Sequence, residues 1–423
     1  MTAAKPPSKY NLSVLRIRNF RMLLCTRMFI MMALQAQSVI VGWQIYSMTK
    51  STFLLGLTGL AEAVPAIVCG LFAGHVVDVG KPHRIYIAAI GALALNIYIL
   101  FTFAGGHVEI GKDNLLYLIY GAIFFSGLAR AFIIPSSFSM LSIILKREEL
   151  PSASAWLSTG FQISAITAPA LAGLVYGGYG PEGAWVLPAL LMSMAFIAVN
   201  GIGAGAHPRG EKRESAVKSI TAGWKFIWEH KVLLNMMALD MFAVLFGGAV
   251  AMLPAFAGPE VLNVGSAGLG ALRAAPAVGA VFTTLFMALF PMQHVSAKRL
   301  LWVVTGFGCC MIGFGLSTYF WLSMFFLVIS GAFDSVSMVI RGTLMQLLTP
   351  DHMRGRVSSI SSMFIISSNE IGSFESGTAA RFMGLVPSVV FGGVCTLIVV
   401  GTISLISPKL RNTVVDVNVK PAG

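Results

Sequence analysis

Long apolar runs separated by short polar breaks fill almost the whole chain, and each run is about 20 residues or more, enough to cross a hydrocarbon core of ~30 Å as a helix. The apolar positions are continuous rather than alternating, so barrel strands are excluded. Twelve spans are predicted. The first six are Phe20 to Tyr46, Phe53 to Val77, Ile85 to Ala104, Leu115 to Leu145, Ser152 to Tyr176 and Ala184 to Ala204. The second six are Val232 to Phe256, Ser266 to Phe290, Leu300 to Thr318, Phe320 to Leu348, Val357 to Phe382 and Pro387 to Ile406.

The one long polar interruption, GAHPRGEKRESAVKSITAGWKFIWEHK, runs from Gly205 to Lys231. Within it Val217, Ile220, Trp224 and Ile227 recur at helical spacing with Lys218, Lys225 and Glu229 off that stripe, the pattern of an amphipathic helix lying in the headgroup layer. The chain therefore divides into residues 1–204, a linker over 205–231, and residues 232–423.

Short patterns recur between the two halves. Gly59-Leu60-Ala61-Glu62-Ala63-Val64-Pro65-Ala66 aligns with Gly270-Ala271-Leu272-Arg273-Ala274-Ala275-Pro276-Ala277, 211 residues on. Gly127-x-x-Arg130 aligns with Gly331-x-x-Asp334, and Leu171-Ala172-Gly173 with Glu375-Ser376-Gly377, both 204 residues on. Together they indicate a parallel repeat of six plus six spans about an axis along the membrane normal.

Composition agrees: 56% of residues are hydrophobic, 11% are charged, and the mean hydropathy is +0.81, too apolar for a soluble globule. The formal charge of +12 would suit a nucleic-acid binder, but its placement does not. Of the 29 lysines and arginines, 21 fall in segments on the linker's side of the bilayer, six within spans, and only Lys50 and Lys112 in the opposite loops. That asymmetry is the positive-inside bias, so linker and both termini are cytoplasmic and no nucleic-acid partner is expected. The start of the chain has no small-residue cleavage site after its basic residues, so no removable signal is expected.

Several chemistries lack their residues. No phosphate-binding Gly-x-x-x-x-Gly-Lys-Ser/Thr loop is present. All seven histidines fall in loops or at span ends, and the five cysteines sit in apolar runs without ligand spacing, so no metal or cofactor is expected. No Ser-His-Asp set stands at one interface, and an enzyme is not expected. A receptor or scaffold is disfavoured by the short tails, Met1 to Asn19 and Pro408 to Gly423.

Twelve spans, a central basic loop and this repeat resemble the major facilitator superfamily. The loop from Gly74 to Arg84, GHVVDVGKPHR, is similar to that superfamily's motif between its second and third spans; it retains Asp78, Lys81 and Arg84 and departs at Val79. Three phrases, around Leu239 to Val250, Leu272 to Ala280 and Ser368 to Gly377, resemble the enterobactin-exporter branch of its drug:proton antiporters. The antiporter motif of the fifth span is reduced to Gly160, Pro169 and Gly173. The resemblance implies two six-helix bundles around a central cavity, alternating access, and proton-coupled export of a small amphipathic molecule such as a siderophore across a bacterial-type inner membrane, by a monomer. Multidrug or macrolide efflux and lysolipid transport are the alternatives.

Charges inside a bilayer cost about 2.5–3.5 kcal/mol each on insertion scales, so those retained there need a reason. Asp334, Arg130, Glu62, Asp240, Glu370 and Arg273 are the expected proton-coupling or gating residues, with Arg130 and Asp334 approaching each other across the cavity, and Glu62 meeting Asn369 or Glu370. Structural ion pairing is the competing role for each. Gln35, Gln37, Gln162, Gln346 and Asn369 offer hydrogen bonds to substrate and Phe242 an aromatic face.

Overall fold

The computed structural model describes residues 12–146, 148–203, 216–290, 294–350, 353–408, 411 and 414–416. Among these the chain is helical almost throughout: α1 Arg18–Thr49, α2 Thr52–Val79, α3 Pro82–Ala104, α4 Lys112–Ile144, α5 Leu150–Asn200, α6 Ala216–Glu229, α7 Lys231–Phe246, α8 Leu253–Ala257, α9 Gly265–Leu289, α10 Ala297–Leu316, α11 Phe320–Leu348, α12 Arg354–Met383 and α13 Leu385–Ile406. Two three-residue strands, β1 His294–Ser296 and β2 Val414–Asp416, pair antiparallel, tying the C-terminal tail to the loop before α10.

Helix ends follow local chemistry. The Ser51 hydroxyl caps α2 by accepting from the Leu54 amide at 3.3 Å, satisfying one of the donors every helix start leaves free. Pro82 opens α3, where its missing amide costs nothing. Two predicted spans, the fifth and sixth, run on as α5, broken at Gly180. Its φ of +64° is open to glycine, and Pro181 starts the second arm.

The seventh span was expected to be one helix and is not. It breaks after Phe246, continues as a 3-10 turn over Gly248–Met252, and resumes as α8. A Cβ on Gly248 would sit 2.7 Å from the Gly372 carbonyl oxygen of α12, so close passage of a neighbouring backbone accompanies the break.

Ten segments are long and apolar enough to cross a membrane. The two arms of α5 bring the spans to eleven, and α12, too polar to stand among the ten, brings them to twelve. They form two six-helix bundles. In the first, Gly127 of α4 packs on Pro65 of α2; in the second, Gly331 of α11 packs on Pro276 of α9. These are the positions the internal repeat pairs, and in each bundle a glycine lets one helix rest directly on the proline of another.

The bundles meet through α2 against α12 and α5 against α9. Both contacts are backbone to backbone. A Cβ on Gly173 would lie 2.7 Å from the Gly270 Cα, and one on Gly377 2.7 Å from the Gly56 Cα. All four glycines lie toward the side with few basic residues. On that side Tyr46, Leu55, Trp185, Phe256, Leu272 and Phe314 belong to one buried cluster drawn from both bundles. Arg381 of α12 lies 5.0 Å over the Phe53 ring of α2, which also meets Phe374 edge-on. Toward the cytoplasm the clusters separate, one built from the first bundle alone and two from the second together with the linker helix α6. The molecule is therefore closed outside and open inside.

Candidate functional site: a charge cluster between the bundles

Close packing brings the charged side chains together. Gly127 lies directly against the Glu62 carbonyl, and Arg130, one turn on from Gly127 along the same face of α4, forms an ion pair with the Glu62 carboxylate of α2. The Arg130 side chain keeps 40% of its surface accessible and Glu62 24%, so the pair faces an open cavity, not a dry core.

A second acid arrives from the other bundle. Gly59, one turn before Glu62, lies against Glu370 of α12: a Cβ there would be 2.7 Å from the Glu370 carbonyl and 3.4 Å from its Oε2. Glu370 acts electrostatically on both Arg130 and Arg273. Arg273 of α9 donates to the Ser38 hydroxyl of α1 at 2.6 Å. Four charges, two of each sign, thus span the seam between bundles: Glu62 and Arg130 from the first, Glu370 and Arg273 from the second.

The expected approach of Arg130 to Asp334 is not the arrangement found. Arg130 pairs with Glu62, and Asp334 has no ion pair among the described residues. Repeat equivalence places the two residues on facing walls of an open cavity, whereas Glu62 is on the adjacent helix of the same bundle. Asp334 is half-buried in α11, beside Ser335, whose hydroxyl meets that of Thr284 of α9 at 3.0 Å. Asp240 also lies apart, paired with Arg341 inside the second bundle.

The expected substrate-contacting residues are dispersed. Gln35 and Gln162 are half-buried. Gln37 is buried, and its Oε1 accepts no hydrogen bond among the described residues. Phe242 stacks with Phe246, ring centroids 6.3 Å apart. Asn369 is exposed, its amide donating to the Ile365 carbonyl one turn back at 2.9 Å. Gln346 is at the cytoplasmic end of α11, its carbonyl accepting from Arg354 at 3.2 Å, away from the charge cluster. The stretch expected as a loop narrows to Gly80 and Lys81, with Asp78 in the last turn of α2 and Arg84 in the first turn of α3; Lys81 and Arg84 are exposed, while the side chain of Asp78 lies outside the described residues.

Some polar residues turned out to serve the scaffold. The Gln44 amide donates to the Ala104 carbonyl at 2.6 Å and its oxygen accepts from the Trp185 indole at 3.1 Å, joining α1, α3 and the second arm of α5 in a buried network. Arg27 donates to the Ser137 hydroxyl at 3.2 Å, tying α1 to α4. Ser38, the partner of Arg273, was not anticipated; its only signal was the polar cluster it shares with Gln35 and Gln37.

Residues 23–373 match the family model described as Major Facilitator Superfamily. Among curated relatives, enterobactin exporters named EntS from Shigella boydii and Escherichia coli are 25% and 24% identical over 411 and 412 residues, covering 95% of this chain and 95% of theirs. Among solved structures, a bacterial homologue of the human lysosomal transporter Spinster, in an inward-facing and unoccupied conformation, has a TM-score of 0.73 at 13% identity, covering 99% of this chain and 100% of its own. A POT family transporter in complex with 5-aminolevulinic acid has a TM-score of 0.73 at 10% identity, covering 93% of this chain and 97% of its own. At these identities the solved structures speak for the fold alone.

Proposed function

The chain belongs to the Major Facilitator Superfamily, and from that premise we propose that it is a proton-coupled exporter of a small amphipathic organic molecule in a bacterial-type inner membrane, working as a monomer. As a superfamily transporter it carries a small-molecule substrate across the bilayer that its apolar helices span. The finer reading, a siderophore as cargo, is supported by relatives named enterobactin exporters over nearly the full length of both chains.

The observation that carries the coupling is the placement of Glu370. It stands on the second bundle yet acts on Arg130 of the first, while Glu62 holds that same arginine from its own side. Protonating Glu370 removes the charge that draws Arg130 across the seam and leaves Arg130 with Glu62. The bundles then separate on the outer face and the cavity changes sides. Arg273, held to Ser38, is the second cross-bundle tie that must release in the same movement. Asp334, without an ion pair among the described residues, and Asp240, paired with Arg341, are the remaining proton-site candidates; the turn at Lys81, flanked by Asp78 of α2 and Arg84 of α3, meets the other bundle only when the cytoplasmic side closes.

Transport in proteoliposomes with an imposed pH gradient, using enterobactin as cargo, tests the reading. The wild type is expected to respond to the gradient, and Glu370→Gln to lose at least nine-tenths of that response. Asp334→Asn distinguishes the two acids: uphill transport with wild-type pH dependence assigns coupling to the seam, and loss of coupling returns it to Asp334. A wild type indifferent to both cargo and gradient overturns the proposal.

A further inference from the structure

A second cavity of about 170 Å³ lies wholly within the second bundle, between α7, α11 and α12, on the cytoplasmic side of the seam. It contains none of the four seam charges. At its floor is the Asp240–Arg341 ion pair, with only 9% and 13% of the two side chains accessible. Its walls carry Met237, Met345 and the ring of Phe364, with Ser361 and Ser362 at the α12 side. A buried ion pair contributes little stability in itself, so its retention beneath an open cavity calls for another account.

Size and chemistry narrow the occupant. A cavity of about 150 Å³ accepts one benzene ring, whereas sites for whole drug-sized ligands start near 300 Å³, so this one holds a single ring or its equivalent. Methionine sulfur is soft, conforms to irregular shapes and makes favourable contacts with aromatic rings. Arginine carries five N–H donors, and among the described residues the contacts of Arg341 to Asp240 and to the Ser337 carbonyl at 3.3 Å do not exhaust them. Serine hydroxyls add further donors and acceptors. Gly342 keeps the wall open: a Cβ built there meets no atom within 4 Å.

We propose that this cleft is a cytoplasmic capture site for one oxygen-substituted aromatic ring of the substrate, visited before the central cavity. The ring lies among the methionines and Phe364, and its hydroxyl or carboxylate oxygens accept from Arg341 and the serines. The other face of Phe364 stacks on Trp224 of the linker helix α6, ring centroids 5.6 Å apart and nearly parallel, so occupancy of the cleft is felt by the segment that joins the bundles. The order of visits rests on the outward direction of transport proposed above; the site itself does not.

Binding of 4-hydroxybenzoate to the purified full-length protein in nanodiscs, followed by calorimetry, tests it. Saturable binding is expected for the wild type. Gly342→Leu, which fills the cleft with a good helix former, is expected to weaken it at least tenfold, and Gly342→Ala to weaken it less while guarding against a folding defect in the larger variant. Trp302→Ala, on the exposed face of α10 and outside both the cleft and the seam, is expected to bind as the wild type does. The non-aromatic 4-hydroxycyclohexanecarboxylate is expected to bind at least tenfold more weakly. Wild-type affinity in Gly342→Leu, equal binding of the two probes, or no binding at all overturns the capture site and leaves the transport reading standing. Loss of binding in Gly342→Leu with no export by the wild type overturns the transport reading and leaves the site.

Discussion

Replacing Arg130 by glutamine is expected to lower transport at least 100-fold. The variant leaves the Glu62 carboxylate without its ion-pair partner, and Glu370 without the first-bundle cation it faces. Removing one member of a fully buried pair costs about 3–5 kcal/mol, but with 40% of the Arg130 side chain accessible the stability loss should be nearer 1–2 kcal/mol. The protein should therefore still fold, with a modest drop in thermal midpoint, while the cycle stops. Arg130→Lys, which keeps the charge but not the planar fork of donors, is expected to recover part of the rate. Wild-type transport by Arg130→Gln would show that the ion pair serves only to hold α2 against α4.

A comparable loss is expected from one added side chain on the outer face. Gly173 and Gly270 let α5 and α9 approach until a Cβ on Gly173 would lie 2.7 Å from the facing Cα. Gly173→Val cannot be accommodated by a rotamer change, because the atoms it meets are backbone. The bundles are then propped apart outside, and the protein should favour the outward-open form. Transport should fall at least 50-fold, with Gly173→Ala intermediate. In Gly173→Val, a cysteine replacing Ser38 should become reactive toward a membrane-impermeant maleimide added from outside, and it should be protected in the parent. Unchanged labelling would mean that the outer seal does not depend on this contact.

The architecture was legible in the sequence because its signals are local and additive. Apolar length marked the spans to within a few residues, charge asymmetry set the orientation, and a proline and a glycine in each half marked where α2 meets α4 and α9 meets α11. The seam charges were legible as residues but not as pairs. Arg130 and Asp334 do occupy equivalent positions, yet symmetry relates places on the backbone, and a side chain of limited reach takes the nearest opposite charge, here Glu62. Nor did the apolar run from Val232 to Phe256 reveal the break after Phe246, which accompanies the passage of α12 against Gly248, a contact more than a hundred residues distant in sequence. The cleft over Asp240 was hidden for a similar reason: methionines scattered over α7 and α11 read as ordinary apolar positions until three helices are brought together.

The polarity of α12 bears on how the protein is made. This helix carries Glu370, Glu375, Asn369 and Arg381 with many serines, and it is the one span that falls short of the hydropathy of the rest. Charged residues at the centre of an emerging helix oppose its partition from the translocon into lipid by a few kcal/mol each. Its successor α13 is strongly apolar and follows after the single residue Gly384, whose φ of +92° permits an immediate reversal of the chain. The two should enter the bilayer as a hairpin, with α13 drawing α12 in beside it. A chain ending before Leu385 is expected to leave α12 on the cytoplasmic side, where a reporter fused behind it would remain exposed to the cytosol. Integration of the helix that carries Glu370 thus depends on a neighbour synthesised after it.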